Sequence, residues 1–220
     1  MGALKGLIIK DLLQLKDFKI LLIFWTSIFI ILSIVFDFTN IIAILMSFAF
    51  GMVVVFAFTF DEMSRSEKYM VGLPFTRNEL ILSKYLLAFI TTFVGAVIGD
   101  ILNIIIQLVM TGNVENLIRS LSVALLGMFF MAIFNAIQIP CIIKNGAQES
   151  RLLIFTIGGT LTLIGVGIYK LAKIFNLILP MDKLEQIYNQ YWFFIYVILI
   201  AFLYLLSYKI SCKIYQKKDA

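Results

Sequence analysis

Long apolar runs separated by short polar turns set the pattern of this chain, and they predict helices that cross a membrane. A span needs about 20 apolar residues, with a range of about 17–25. Residues 20–36 are the first such run, closed by the polar turn 37–40, and residues 41–60 are the second, uncharged until Asp61. A charged island at 61–85 leads into the third, which continues through Met110 with Asp100 as its one interruption. The fourth covers about 121–143, with Pro140 near its end, and the polar loop 144–151 separates it from a glycine-rich fifth run at about 152–168. A mixed stretch at 169–190 precedes the sixth run, 191–208, and a basic tail. The pattern predicts an all-α integral membrane protein with six transmembrane helices, forming a single transmembrane domain over residues 1–220.

Two flanking segments have a different period. In residues 1–17, Leu4, Leu7, Ile8, Leu12 and Leu15 recur at helical spacing, with Lys5, Lys10, Asp11, Gln14 and Lys16 between them. That predicts an interfacial amphipathic helix lying along the bilayer and too polar to span it, the alternative being a solvated leader. In residues 169–190, Ile174, Phe175, Leu177, Ile178 and Leu179 precede Pro180, and Asp182 and Glu185 give a helix-start pattern. This stretch is too polar for a span and too apolar for a free loop. An extracellular re-entrant or interfacial hairpin fits, because irregular backbone at membrane depth must be covered by protein. A surface loop is the alternative.

The island is the anomalous polar stretch. Thr76 and Glu79 stand in the T-x-x-E relation of a capping box, flanked by Phe75 and Leu80 at the spacing of a hydrophobic staple. Leu73 precedes Pro74 and is biased away from helical dihedrals, so a turn is expected there. The island reads as a short polar helix, a Leu-Pro turn and a firmly started long helix.

Composition agrees with a membrane domain: 62% of residues are hydrophobic, 14% are charged, and the mean hydropathy is +1.02. Lys and Arg then set the sidedness. With both termini inside, the cytoplasmic segments carry Lys5, Lys10, Lys16 and Lys19, then Arg65, Lys68, Arg77 and Lys84, then Lys144 and Arg151, then Lys209, Lys213, Lys217 and Lys218. Outside remain Arg119, Lys170, Lys173 and Lys183. The bias makes the island cytoplasmic and accounts for the net charge of +5 as topology. There is no histidine, and Cys141 and Cys212 alone do not make a zinc site. No phosphate loop, HExxH or G-x-S-x-G motif occurs. No catalytic, cofactor-binding or metal-binding residue is therefore expected, and the chain does not read as an enzyme.

Polar side chains also fall inside the apolar runs. Asp100, Asn103 and Gln107 share one face of the third, and Asn135 and Gln138 form a smaller pair in the fourth. An intramembrane carboxylate costs about 2.5–3.5 kcal/mol on insertion scales, so it should face protein or water. Two readings stay open: a polar lining of a substrate route, or interhelical hydrogen bonds.

Several short motifs together resemble the membrane (permease) subunit of bacterial ATP-binding-cassette exporters of the type-two (ABC-2) family. They are Lys10-Asp11, Asp61-Glu62, Tyr69, Leu73-Pro74, Arg77 and Lys84-Tyr85, followed by Pro140 with Gly146, Glu149 and Arg151. The likeness is to permeases that export peptide toxins or bacteriocins. It implies a multi-pass protein of the bacterial plasma membrane that pairs with a second permease subunit, identical or not, and with separate cytoplasmic ATPase subunits. ATP and Mg would then be bound by the partner and no cofactor by this chain. Residues 1–17 would be a connecting helix, 61–76 a cytoplasmic coupling segment, and 169–190 a cap over the outer end of the route. Asp61, Glu62, Arg65, Glu67, Lys68, Tyr69 and Arg77 would meet the ATPase, with Leu73, Pro74, Thr76 and Glu79 as the coupling turn and cap. Amphipathic peptides or other hydrophobic compounds would be the cargo. A partner-independent carrier or channel, or a membrane immunity or structural protein, is the alternative.

Overall fold

Backbone polar groups that enter hydrocarbon must be satisfied inside their own segment, and a helix does this without neighbours. The computed structural model describes residues 2–35, 41–64, 76–111, 117–150 and 181–218, and among them there is no strand. The helices are α1 (Gly2–Gln14), α2 (Lys19–Val35), α3 (Ile41–Gly51), α4 (Val53–Met63), α5 (Arg77–Thr111), α6 (Leu117–Asn145) and α7 (Met181–Lys218). A 3-10 turn, Leu15–Phe18, joins α1 to α2.

Four stretches are long and apolar enough to cross a membrane: Ile41–Met63, Asn78–Met110, Ser120–Asn145 and Phe193–Gln216. The first joins α3 and α4 across Met52. A fifth is added if α1 and α2, bent by 69° at the 3-10 turn, count together. The turn 37–40 and the run 152–168 lie outside the described residues, as do residues 169–180 of the expected hairpin. The last part of that hairpin, 181–190, is helical and continuous with α7, so the final helix starts directly after Pro180. The 33 residues of the α5 span cover about 50 Å at 1.5 Å each, against about 30 Å of hydrocarbon, so part of α5 stands outside the bilayer or tilts within it.

The core is built around α3, which packs most extensively on α5 and then on α6. Its approach to α5 depends on glycine. A Cβ on Gly95 would stand 2.6 Å from the Met46 carbonyl oxygen, and one on Gly99 2.7 Å from the Ala43 Cα. The largest buried cluster lies at the other end of α5, where Val54 and Ala57 of α4, Ile81 and Leu87 of α5, and Ile139 and Ile142 of α6 meet. Phe18 packs against Phe56 and Phe60, with ring centroids 4.4 and 5.2 Å apart, and so seats the bend between α1 and α2 on α4.

The leader is helical, and its packing adds what periodicity did not specify: Asp11 is 1% exposed and Leu13 66%. α1 docks on α5 through Leu7 and Asp11, one helical turn apart. Hydrophobic periodicity assumes that charges seek solvent. Here a charge on α5 takes that role.

Candidate functional site

The first turn of α5 forms as its sequence specifies. The Thr76 backbone N–H donates to Glu79 Oε2 at 2.9 Å, and the Glu79 N–H donates to Thr76 Oγ1 at 3.3 Å. Two orphan donors of the helix start are thereby satisfied reciprocally.

Two turns further on, Lys84 is 2% exposed and gathers two acids from other helices. Its ammonium donates to both oxygens of Asp11 on α1, each at 2.9 Å, and to Asp61 Oδ2 on α4 at 2.5 Å. Lys10 closes the cluster, donating to Asp61 Oδ1 at 2.6 Å and lying 3.7 Å from Asp11 Oδ1. Two acids and two bases leave it neutral, which is the condition under which buried charges are tolerated. The Lys84 ammonium also sits 5.3 Å from the Phe58 ring centroid, a cation–π distance. Burial pushes the Asp11 carboxyl above the usual carboxylate range, and the nearby Lys84 charge pulls it back in part.

Tyr85, the next residue, reaches the opposite helices. Proline at 140 has no N–H, so the Ala136 carbonyl one turn earlier in α6 has no helical donor at that position. Ser207 of α7 fills the place: its hydroxyl donates to the Ala136 oxygen at 2.7 Å. That spends the Ser207 proton, so the Tyr85 hydroxyl is the donor to Ser207, and Ser211 donates in turn to Tyr85 at 2.8 Å. One directional chain, Ser211 to Tyr85 to Ser207 to Ala136, joins α5, α6 and α7. The Tyr85 ring packs edge-on against Tyr204 and Tyr208, at 5.8 and 5.9 Å.

A third tie holds the end of α4. Gly146 ends α6 at φ +88, a left-handed conformation that glycine adopts without steric cost, and its N–H donates to the Ile142 carbonyl at 2.8 Å. The chain then re-enters helix at 147–150, where the Ser150 N–H reaches the Gly146 carbonyl at 3.2 Å. The Glu62 carboxylate accepts the Ala147 N–H at this new start. A negative group at a helix N-terminus satisfies an orphan donor and meets the favourable end of the dipole.

The structure therefore divides the expected docking residues. Asp61 and Glu62 belong to α4, and both carboxylates are engaged within the fold. Arg65, Glu67, Lys68, Tyr69, Leu73 and Pro74 lie outside the described residues, as does the Arg77 side chain. The intramembrane set is brought together across α5 and α6: Asn103 donates to Ser120 Oγ at 2.8 Å, Gln107 donates to Asn103 Oδ1 at 3.3 Å, and Ser120 donates to Asp100. Ser120 lies in the first turn of α6, which places Asp100 toward the end of the bundle opposite Lys84. Asn135 and Gln138 are both buried, and Asn135 Nδ2 is 3.5 Å from the Tyr204 hydroxyl. Among the described residues no group of three or more Cys, Asp or Glu is placed to hold a metal ion.

Asp11, Lys84 and Tyr85 entered the sequence reading only as motif residues of the resemblance, with no role assigned, and Ser207 and Ser211 were not singled out. For Asp11 and Lys84 a further signal existed. Lys10-Asp11 and Asp61-Lys84 are charges of opposite sign set into otherwise apolar helical faces, in a chain that is only 14% charged.

Comparison with protein families matches residues 6–216 to the family described as ABC-2 family transporter protein. No curated protein and no solved structure matches the chain.

Proposed function

The chain belongs to the ABC-2 family of transporter proteins, and on that premise we propose that it is the permease subunit of an exporter driven by a separate cytoplasmic ATPase. The observation that carries the reading is the convergence of α1, α4 and α5 on Lys84. A segment that receives a push is useful only if its two ends are fixed to the elements that must move. Here the end of α4 is held by Asp61 and Glu62, and the start of α5 by the Thr76–Glu79 cap. Asp61 is buried and already paired with Lys84 and Lys10, so it offers little charge to a partner, whereas Glu62 is exposed. The ATPase contact therefore falls to Glu62, Arg65, Glu67, Lys68 and Tyr69, with Arg77 beside them, and Asp61 anchors the segment's root.

In this mechanism, ATP and Mg bind in the partner, and closure of the ATPase pushes on the 61–76 segment. The push reaches α1 through Lys84 and reaches α6 and α7 through Tyr85. Two permease chains enclose the route, with amphipathic peptides or other hydrophobic compounds as cargo. Both termini and the segment 61–76 face the cytoplasm.

The test is co-purification of the full chain with its ATPase, paired with a measurement of export. Arg65→Glu with Lys68→Glu should release the ATPase while leaving the permease folded and in the membrane. An ATPase that stays bound, with hydrolysis still coupled to export, would remove residues 65–69 from the contact. Export that continues with no ATPase present would remove the permease reading itself.

A further inference from the structure

Near the midpoints of three of the apolar stretches, Thr92 of α5, Asn135 of α6 and Tyr204 of α7 meet, and their protons run in one direction. The Thr92 hydroxyl donates to the Ala88 carbonyl at 2.6 Å, so toward another side chain it can only accept. The Tyr204 hydroxyl is hydrogen-bonded to Thr92 and therefore spends its own proton there. On its other side Tyr204 faces Asn135 Nδ2 at 3.5 Å. With the tyrosine proton committed, the amide atom turned toward it has to be the donor. That fixes the orientation of Asn135 and points its Oδ1 away from Tyr204.

Asn135 Oδ1 then has no donor within the fold, and neither has Gln138 Oε1. The two residues are 0% and 3% exposed, and they stand three apart on one face of α6, where Cβ atoms are about 5–6 Å from each other. Folded chains give nearly every buried acceptor a partner, from protein or from ordered water. The surroundings are close-packed. A Cβ on Gly51 would stand 2.8 Å from Met131 Cε and 2.9 Å from Thr92 Oγ1, so Met131, one turn before Asn135, lies at this level too. The first apolar stretch is interrupted here, between Gly51 and Val53, and the Val55 N–H donates to the Met52 carbonyl only three residues back. Two buried acceptors on one helix face call for a guest that donates twice, and an enclosed position admits only a small one.

We propose that Asn135 Oδ1 and Gln138 Oε1 hold a buried water molecule, which donates to both. It heads the chain that runs through Asn135, Tyr204 and Thr92 to the Ala88 carbonyl. This makes the Thr92 level the hydrated one in the bundle, between apolar packing around Leu87 and Ile139 on one side and around Ala43 and Ala96 on the other. The site stands whether or not the chain works with an ATPase.

Radiolytic footprinting of the full chain in detergent tests this. Hydroxyl radicals made from water by an X-ray pulse convert methionine to its sulfoxide, which mass spectrometry counts. Met131 and Met46 are both 0% exposed, and Met63, at 77%, sets the level for open access. Met131 should be oxidised well above Met46, because only Met131 has water at its level; this contrast needs no variant. Gln138→Leu removes one of the two acceptors, leaves the contact of Asn135 with Tyr204 in place, and should bring Met131 down to the level of Met46. Wild-type Met131 oxidised no more than Met46, or oxidation that Gln138→Leu leaves unchanged, would overturn the proposal. So would a wild-type Tm higher in sodium chloride than in choline chloride at equal concentration, which would give the two oxygens to a metal cation.

Discussion

Replacing Lys84 by methionine isolates the contribution of the buried charge cluster. Methionine keeps an unbranched stem beside Phe58 and deletes only the ammonium. The wild-type ammonium makes three contacts of 2.5–2.9 Å to two carboxylates. Without it, Lys10 alone faces Asp61 at 2.6 Å and Asp11 at 3.7 Å, and the cluster carries one uncompensated negative charge. At an effective dielectric constant of about 20, each contact near 3 Å is worth about 5 kcal/mol of attraction. The cost of desolvating four ions offsets much of this, so the sum of contacts overstates the net. Removing one partner of a buried pair costs about 3–5 kcal/mol, because the remaining charge stays buried. For a chain of this length each kcal/mol moves Tm by roughly 2–4 °C, so Lys84→Met should lower Tm by roughly 6–20 °C.

Thermal unfolding of the detergent-solubilised chain, followed by helical circular dichroism, measures the effect, and a second substitution tests its cause. Lys84→Met with Asp11→Leu leaves only Asp61 and Lys10, which are neutral together. The double variant should be more stable than the sum of the single losses allows, by about 2–3 kcal/mol of coupling. A single variant within about 1 kcal/mol of wild type, or a double variant whose losses simply add, would refute the account of Lys84 as a charge shared between α1 and α4.

Three further outcomes follow from local geometry. Ser207→Ala should cost about 1–3 kcal/mol by leaving the Ala136 carbonyl unpaired; in a Pro140→Ala background, where residue 140 regains its N–H, the same substitution should cost clearly less, as a double-mutant thermal cycle would show. Gly146→Ala should cost about 1–2 kcal/mol for the left-handed backbone. Its added Cβ would also stand 2.9 Å from Glu62 Oε1, so truncating Glu62 should relieve part of the loss in thermal unfolding. Thr76→Ala should remove about 0.5–2 kcal/mol of capping, seen as faster amide exchange in the first turn of α5 with the amides near Thr92 unchanged.

The long helices were legible because lipid imposes one rule on them, a continuous apolar run with backbone bonds closed inside it. The start of α5 was legible for a similarly local reason: Thr76 and Glu79 specify each other across three residues. The direction in which α1 faces was not. Helical periodicity ranks Asp11 as polar and Leu13 as apolar, and it carries no information about a lysine 73 residues away. Asp61 was expected at the ATPase contact from the family resemblance, and a resemblance of short motifs carries no information about its pairing with Lys84 either. The Ser207–Ala136 bond was hidden for a different reason. Pro140 announces a carbonyl without a donor, but which helix supplies the donor is decided by tertiary packing.

The adjacency of Lys84 and Tyr85 constrains how α5 moves. Successive residues on a helix point about 100° apart, so these two face different neighbours from nearly the same height. A slide of α5 by one turn, about 5.4 Å, would carry Lys84 away from two carboxylates on two helices and Tyr85 away from two serines on a third. A large rotation about its own axis would break both sets together. Either motion strands buried charge or buried hydroxyls, whereas displacement of α1, α4, the start of α5 and the adjoining parts of α6 and α7 as one block strands neither. If residues 61–76 receive the push proposed above, it is passed on as a movement of that block, toward the stretch where Gly95 and Gly99 let α5 pack closely on the α3 backbone and on Met46 and Phe50.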